Sequence, residues 1–158
     1  MTHMAFHIDH ELKAFVEGGQ AVSIATADAA GRPHVSMAWG PMVTGDGRAL
    51  AFFVECERAN DVVADLVENP NIALTLGSPI AYRSVQFKGR CMGTRVATAE
   101  EEAWVARHRE AFSSAAALVG DPPQAIANLF LSGELRRFDM TVDAAFDQTP
   151  GPNAGAPL

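Results

Sequence analysis

An asparagine-proline pair divides two patterned segments in the middle of this chain, and this division strongly constrains the fold. Residues 59–68 carry apolar side chains at helical spacing. The ring of Pro70 disfavours helical backbone at Asn69, so the predicted helix ends there. Beyond it, apolar residues alternate with smaller ones, as they do in a strand that is buried on one face. The alternating apolar positions are Ile72, Leu74 and Leu76.

A second alternating segment, at residues 82–89, predicts another strand. Val85 and Phe87 share one face of that strand, while Arg83 and Lys88 are available for polar contacts. The middle of the chain is therefore predicted to be a helix followed by two strands. The second of these strands is expected to continue to about residue 97.

Similar patterns predict further strands and helices along the chain. Strands are expected at about residues 20–27, 34–43, 50–54 and 135–142. Helices are expected to begin at Asp9, at Thr98, which forms a capping box with Glu101, and at Asp121 before Pro122. Because the early connections are as short as hairpin turns, an antiparallel barrel fits better than a parallel sheet. The predicted fold class is mainly β with added helices.

One domain is expected to account for most of the chain. A length of 158 residues suits a single domain with its own hydrophobic core. Residues 148–158 contain three prolines and two glycines, which is too many for a core element. We therefore expect a barrel domain at residues 1–147 and a Pro/Gly-rich tail at residues 148–158. Residues 146–151 are expected to rest against a barrel, either their own or a partner's.

Charge and composition argue against several classes of partner. The formal net charge is −7, whereas a nucleic-acid surface requires a basic patch. No apolar run approaches the roughly 20 residues needed to cross a bilayer, and the N-terminus lacks a secretory signal pattern. Cys56 and Cys91 lack the spacing of metal ligands and are too few for a disulfide scaffold. We expect a cytoplasmic protein with free thiols, no metal site and a small-molecule ligand.

The helix stop at Asn69-Pro70, followed by the strand at residues 82–89, resembles the pyridoxamine 5'-phosphate oxidase-like family of FMN-binding split-barrel proteins. The stretch AYRSVQFKGR at residues 81–90 carries this resemblance most clearly. The resemblance extends over about residues 9–147, and residues 146–152 also resemble the tails of one branch. It implies an antiparallel split β-barrel, a homodimer, FMN bound between two subunits and flavin-dependent oxidoreductase activity.

The same resemblance implies a set of cofactor-binding positions. In the family, the strand beside the flavin begins with arginine and ends with lysine, and Ser36 and Pro41 take those places here. The serine-arginine-lysine triplet that grips the phosphate corresponds to Asn60-Asp61-Val62, and a glutamine that faces the ring corresponds to Ser84. The implied cofactor-binding residues are Ser36, Met37, Ala38, Trp39, Glu55, Cys56, Arg58, Asn60 and Ser84.

These replacements leave the implied phosphate site poor in cations. A hydrogen bond to a charged group is worth about 1.5–3 kcal/mol, and the carboxylate of Asp61 would repel a phosphate. Arg58, three residues before Asp61, is the nearest cation that could compensate. The resemblance therefore implies FMN as a cofactor that is bound weakly or lost, and a substrate without a phosphate group. No catalytic acid or base is assigned.

A second class of function stays open, in which the barrel is a non-catalytic module that binds haem, another flat ligand or nothing. His34 could be a general acid, a haem ligand or an exposed strand histidine. Trp39 could stack on a planar cofactor or pack in the barrel or an interface. His108 is expected to pack against its own helix neighbours. The remaining histidines, which could at most capture a metal incidentally, are His3, His7 and His10.

Overall fold

The computed structural model describes residues 6–158, which form a mainly antiparallel β structure with added helices. The strands are β1 (Ala21–Ala27), β2 (Pro33–Met37), β3 (Trp39–Thr44), β4 (Ala49–Glu55), β5 (Asn71–Gly77), β6 (Ser84–Val96), β7 (Leu135–Thr141) and β8 (Ala144–Asp147). The α-helices are α1 (His10–Val16), α2 (Asn60–Glu68), α3 (Ala99–Leu118) and α4 (Pro123–Ala127). His3 lies outside the described residues. None of the described helices combines the length and apolar character needed to cross a membrane.

The long strand β6 joins two halves of the sheet. The strands are hydrogen-bonded in the order β2-β1-β5-β6-β7-β4-β3, and the pairings among residues 6–158 are antiparallel. The first half of β6 pairs with β5 and with β8, while its second half pairs with β7. The predicted antiparallel, mainly β fold with added helices is therefore confirmed.

The barrel core is filled by side chains from the inward faces of the strands. Ile24 of β1, Leu74 of β5 and Phe87 of β6 are fully buried. In the other half, the rings of Phe52 and Phe138 stack with their centroids 5.5 Å apart. Burial in β1 and β5 alternates with a period of two residues, which confirms the pattern that predicted these strands.

A second apolar cluster packs α3 and α4 against β3 and β4. Its buried members are Trp39, Phe53, Val105, Phe112, Ala116, Ile126 and Leu135. The capping box predicted at Thr98 and Glu101 is present at the start of α3, so that boundary is also confirmed. The two helices therefore extend the core of the barrel instead of forming a separate unit.

The strand predicted at residues 34–43 is in fact two strands, β2 and β3, separated at Ala38. β2 pairs with β1, whereas β3 pairs with β4 in the other half of the sheet. The register of β3 also shifts around Gly40, whose φ of 56° is a left-handed conformation that glycine adopts readily. The chain crosses from one half of the sheet to the other here, and an alternation of apolar residues does not reveal such a crossing.

Two other boundaries and one further strand differ from the sequence prediction. β6 begins at Ser84, because Tyr82 adopts a φ of 57° in the turn before it. The N-cap of α4 is Pro122, so the prediction that Asp121 caps this helix was wrong. β8 was not predicted, because its four residues are too few to show a periodic pattern.

Residues 148–158 fold back along β8. The amide of Gln148 donates to the carbonyl of Ser84 at 2.8 Å, and Oγ1 of Thr149 accepts from the amide of Ser84 at 3.0 Å. Farther along, Pro157 forms an antiparallel bridge with Phe146. The tail therefore rests on its own barrel through β6 and β8, while contact with a partner subunit stays a prediction.

A buried carboxylate fastens α2 to the hairpin of β1 and β2. Asp65 of α2 is 3% exposed, and its Oδ2 accepts a hydrogen bond from Oγ1 of Thr26 at 2.6 Å. The same oxygen lies 2.8 Å from Nδ1 of His34. The hydrogen bond from Thr26 chiefly lowers the pKa of Asp65, and the contact with Asp65 chiefly raises the pKa of His34. Both shifts favour the charged pair.

This pair predicts a pH-dependent contribution to stability. The contribution of His34 to the free energy of unfolding is complete below its ordinary pKa of 6.5. It disappears as the pH rises through the raised pKa of the folded protein. The contribution of Asp65 to the same free energy is complete above its ordinary pKa of 3.8. It disappears as the pH falls through the lowered pKa of the folded protein. We therefore expect the destabilisation caused by His34→Gln to be largest between pH 3.8 and 6.5 and to shrink as the solution becomes alkaline.

Urea denaturation of both proteins at several pH values measures this difference. The control is Val67→Thr on the exposed face of the same helix, where no titratable group is changed. Its effect on the free energy of unfolding should be the same at each pH. An effect of His34→Gln that does not vary with pH would contradict the role of the pair.

A glycine in β6 permits a close approach of two backbones. A Cβ atom at Gly89 would lie 1.7 Å from the carbonyl oxygen of Thr141, at the end of β7. No side chain can be accommodated there unless the neighbouring strand moves. At Gly93, on the same strand, a Cβ atom would meet no atom within 4 Å.

We expect Gly89→Ala to lower the free energy of unfolding by about 3 kcal/mol, because the backbone of β7 must shift. The matched variant Gly93→Ala should change it by less than about 0.5 kcal/mol. Urea denaturation followed by circular dichroism measures both values. Equal destabilisation by the two variants would show that the contact between β6 and β7 is looser than described.

Candidate functional site

An open cleft lies between strand β2 and the start of helix α2. Its volume is about 500 Å³. The lining residues are Val35, Ser36, Met37, Glu57, Arg58, Asn60 and Asp61. We call it the β2–α2 cleft.

Both walls of the β2–α2 cleft offer backbone groups to a ligand. β2 is the first strand in the order of the sheet, so one of its edges pairs with no strand among the described residues. The other wall begins with the 3-10 turn Cys56–Arg58 and continues into α2. The N-cap of α2 is Ala59, which makes no side-chain cap, so the first amide groups of this helix remain available. Amides at a helix N-terminus favour a negatively charged or polar ligand.

Four of the nine predicted cofactor residues line this cleft, although they come from two separate segments. They are Ser36, Met37, Arg58 and Asn60. Cys56 lies beside them in the 3-10 turn. Ala38 closes the end of β2, where it is fully buried and its amide donates to the carbonyl of Val22 at 3.0 Å.

The side chain of Trp39 is enclosed by its own chain. It is fully buried, and its ring lies edge-on to Phe112 and Phe130, with centroids 5.9 and 5.0 Å away. Its Nε1 donates to Oε1 of Glu55 at 2.8 Å. The structure therefore places this tryptophan in the packing between β3 and α3, and a planar cofactor could reach its ring only if α3 or α4 moved.

Glu55, another predicted cofactor residue, is the centre of a buried polar cluster. Its side chain is 1% exposed, and Oε1 accepts hydrogen bonds from Nη2 of Arg109 at 2.7 Å and from the amide of Leu131 at 3.3 Å. Nη1 of Arg58 lies 3.7 Å from the same oxygen. The guanidinium of Arg109 also stacks over the rings of Trp39 and Phe130. The carboxylate therefore connects the end of β4 to α3 and to the segment after α4.

The charges around the β2–α2 cleft are mainly negative. Nη1 of Arg58 donates to the carbonyl of Leu129 at 2.9 Å, so part of its guanidinium is already engaged within the chain. Glu57 and Asp61 are both exposed at the mouth of the cleft, Asp61 in the first turn of α2. A carboxylate at this position interacts with the helix dipole that an anionic ligand would otherwise use. The cleft therefore has the shape of an anion site without a free cluster of cations.

Ser84 lies at the start of β6, two cross-strand rows away from the row of Met37. Its Oγ donates to the carbonyl of Leu76 at 3.2 Å. Gln86 was not among the residues predicted from the sequence. It lies in the same cross-strand row as Met37. The row runs across four strands in the order Met37, Ser23, Thr75 and Gln86. The register between β5 and β6 is the signal that identifies it, and register cannot be read from alternation alone.

The outward face of this part of the sheet is formed by small or polar side chains. On β1 and β5 these are Ala21, Ser23, Ala25, Ala73 and Thr75, and each of them is only half-buried. Val35 on the neighbouring β2 is 70% exposed. A flat face of this kind can lie close to a ligand or to another protein surface.

Both cysteines are free thiols in the described part of the chain. Burial, together with a contact between Sγ and Oε1 of Glu134 at 3.6 Å, raises the pKa of Cys56. Burial also raises the pKa of Cys91. Neither thiol is therefore activated as a nucleophile near neutral pH.

The histidines do not form a metal centre in the part of the chain that the structure describes. Between residues 6 and 158, no three side chains of the types His, Cys, Asp and Glu are grouped so that they could hold a metal ion. His7 and His10 line a cleft at the start of α1. His34 contacts Asp65 beside the β2–α2 cleft, and the charge of Asp61 also raises the pKa of its imidazole.

A search of curated protein sequences finds no match to this chain. Solved structures show the same fold at low sequence identity. HupZ from Group A Streptococcus is 17% identical with a TM-score of 0.55, over 94% of this chain and 99% of that one. An F420 reductase is 18% identical with a TM-score of 0.51, over 84% of this chain and 94% of that one.

A third solved structure, a candidate pyridoxamine 5'-phosphate oxidase from Lactobacillus delbrueckii, is 13% identical with a TM-score of 0.55, over 89% of this chain and 93% of that one. These likenesses concern the fold, since all three identities are low. The model of the pyridoxamine 5'-phosphate oxidase family matches residues 8–132, which is most of the sequence. The chain therefore belongs to the pyridoxamine 5'-phosphate oxidase family, as the strands after Asn69-Pro70 had indicated.

Proposed function

We propose that this protein is a homodimeric, cytoplasmic flavoprotein that binds FMN weakly in the β2–α2 cleft and acts as an oxidoreductase. The observation that carries this proposal is the meeting of Ser36, Met37, Arg58 and Asn60 in one cleft. Two distant segments supply these residues, and the family resemblance had assigned all of them to the cofactor. The supporting geometry is a cleft between a strand with one unpaired edge and a helix whose N-cap makes no side-chain hydrogen bond.

The phosphate end of FMN fits this cleft in shape but only partly in charge. The amides at the start of α2 and the side chain of Asn60 can donate hydrogen bonds to phosphate oxygens. Asp61 and Glu57 repel the same group, and Arg58 already donates to Leu129. Each charge-assisted bond that the family's missing cations would form is worth about 1.5–3 kcal/mol. The expected affinity is therefore low.

The ring of the cofactor would lie against the outward face of the sheet. Met37 marks the near end of this face, and the row through Ser23 and Thr75 leads to Gln86. The amide Nε2 of Gln86 donates to Oγ1 of Thr75 at 3.0 Å, which leaves its other groups available to a ring. When bound, FMN supplies hydride or electron transfer, while the residues of the chain orient it. Ser84, two rows away, is a weaker candidate for contact with the ring.

The small residues of this face also support a homodimer. In a single chain they are half-buried only by their own neighbours, and the large side chain of Val35 stands beside them in solvent. Small side chains let a second surface approach closely, Val35 adds an exposed apolar contact, and a twofold dimer is the commonest closed assembly. A second copy packed on this face would cover Ser23 and Thr75 and enclose the open side of the β2–α2 cleft.

A second candidate function is a binding module without flavin chemistry, for haem, another flat ligand or none. The observation that favours it is the engagement of Arg58 inside the chain, which leaves Asp61 without a neighbouring free cation in the β2–α2 cleft. The visible spectrum of the protein purified without added cofactor distinguishes the candidates. Flavin and haem have different absorption bands, and the empty protein has none in the visible range.

If two copies pack through the outward face of β1 and β5, a substitution on that face should change the molecular mass of the protein in solution. We expect the unmodified protein to be a dimer at micromolar concentration. Thr75→Arg should make it monomeric, because a charge at the centre of the interface cannot be paired. Light scattering measures both masses. The control variant Glu110→Arg, on the exposed side of α3, should stay dimeric. If the unmodified protein has the mass of a monomer, the proposed interface is contradicted.

The cleft predicts that one substitution will strengthen FMN binding. Asp61→Arg removes a repulsive charge and adds a donor for phosphate, so we expect the binding free energy to improve by about 2–4 kcal/mol. Titration followed by flavin fluorescence measures the affinity. The control Asp121→Arg adds the same charge in the turn after α3, far along the chain from the cleft, and should have little effect. Nanomolar FMN binding by the unmodified protein would contradict our account of the phosphate site.

A further inference from the structure

A buried histidine on α3 has no hydrogen-bond partner in the chain. His108 is 6% exposed, and its imidazole packs with its centroid 6.2 Å from that of Trp39. The side chain of His108 is therefore packed, as predicted. Yet among the described residues neither Nδ1 nor Nε2 has a hydrogen bond of good geometry, although the backbone of Gln20 lies close enough to the ring to oppose the lowering of its pKa. A buried polar atom left in this state costs about 1–3 kcal/mol, so a partner from outside the chain is expected.

A cleft leads to this imidazole from the surface. Its volume is about 280 Å³, and its lining residues are Glu17, Trp104, Arg107, His108 and Ala111. The last four recur at helical spacing and therefore share one face of α3. The turn after α1 forms the opposite side, and there Gly19 approaches α3 so closely that a Cβ atom would lie 2.7 Å from the carbonyl carbon of Ala111. The cleft is thus built by two elements in fixed contact.

The cleft presents one negative and one positive side chain with a neutral imidazole. Oε1 of Glu17 accepts from the amide of Val43 at 2.9 Å and lies 3.9 Å from Nζ of the half-exposed Lys13, so Oε2 is the oxygen left for a ligand. The guanidinium of Arg107 stacks 5.6 Å from the ring centroid of Trp104. Burial lowers the pKa of His108 to about 4. The ring is therefore neutral near pH 7, with one nitrogen that donates and one that accepts.

Trp104 has its own polar atom satisfied, since Nε1 donates to the carbonyl of Gly40 at 2.9 Å. It therefore serves as a wall and as a support for Arg107. The groups left to recognise a ligand are the carboxylate of Glu17, the guanidinium of Arg107 and the imidazole of His108. A ligand that satisfies them carries a cationic group, an anionic group and little bulk.

We propose that this cleft is a second binding site, for a small zwitterion of the amino-acid class. Its ammonium group faces Glu17, its carboxylate faces Arg107, and one of its polar atoms bonds to the imidazole of His108. A molecule with either charge alone engages only one of these two side chains. This site is independent of the β2–α2 cleft, with which it shares no lining residue.

Glycine and β-alanine are suitable probes, with acetate and methylammonium as controls that carry one charge each. The signals of the His108 imidazole nitrogens in NMR spectra report binding directly. We expect a saturable shift with at least one zwitterion and no saturable shift with either control at the same concentration. Failure of both zwitterions to produce a saturable shift, or an equal response to acetate or methylammonium, would overturn the proposal and leave water as the partner of His108.

Surface variants test the two charges without disturbing the buried histidine. Glu17→Gln, which keeps an acceptor for Val43, and Arg107→Gln should each weaken binding of the zwitterion about tenfold, as expected for the loss of one charge-assisted bond. Arg32→Gln, in the turn between β1 and β2, removes a charge outside the cleft and should leave binding unchanged. Unchanged affinity in both cleft variants would contradict the site.

Discussion

The carboxylate of Glu55 fixes the helical part of the molecule to the sheet. It stands at the end of β4 and accepts hydrogen bonds from Trp39 of β3, Arg109 of α3 and the amide of Leu131. A buried carboxylate that loses such donors destabilises a protein by about 3–5 kcal/mol, so these three segments must come together when the chain folds. The apolar cluster beneath α3 and α4 is assembled around the same group.

This requirement changes the use of the family's cofactor positions. Trp39 is turned toward Glu55 and enclosed, and Arg58 lies near that carboxylate while donating to Leu129. The aromatic ring and the cation at these two positions therefore serve the internal structure. The β2–α2 cleft is left with the backbone of β2, the amides of α2 and a partly engaged Arg58 as its cation.

The sequence predicts the barrel well because burial on one face of a strand is a local pattern. The alternation of Ile72 and Leu74, the helix stop at Asn69 and the capping box at Thr98 all act within a few residues. The crossing at Ala38 and the row that brings Gln86 into line with Met37 depend on register between distant strands. The family resemblance therefore had to supply the common site of Ser36 and Asn60, and the sequence alone left stacking on a cofactor and packing in the barrel both open for Trp39.

Buried polar atoms without a hydrogen-bond partner are concentrated around α3 in the described part of the chain. Among the described residues, the buried atoms without a partner are Oε2 of Glu55, Nε of Arg109 and both ring nitrogens of His108. Arg109 and His108 are neighbours on α3, and Glu55 bonds to the first of them. Such atoms persist in a stable fold when water or a ligand completes their hydrogen bonds. The barrel supplies the apolar frame, and α3 carries three of these four atoms, whose hydrogen bonds are left to water or a ligand.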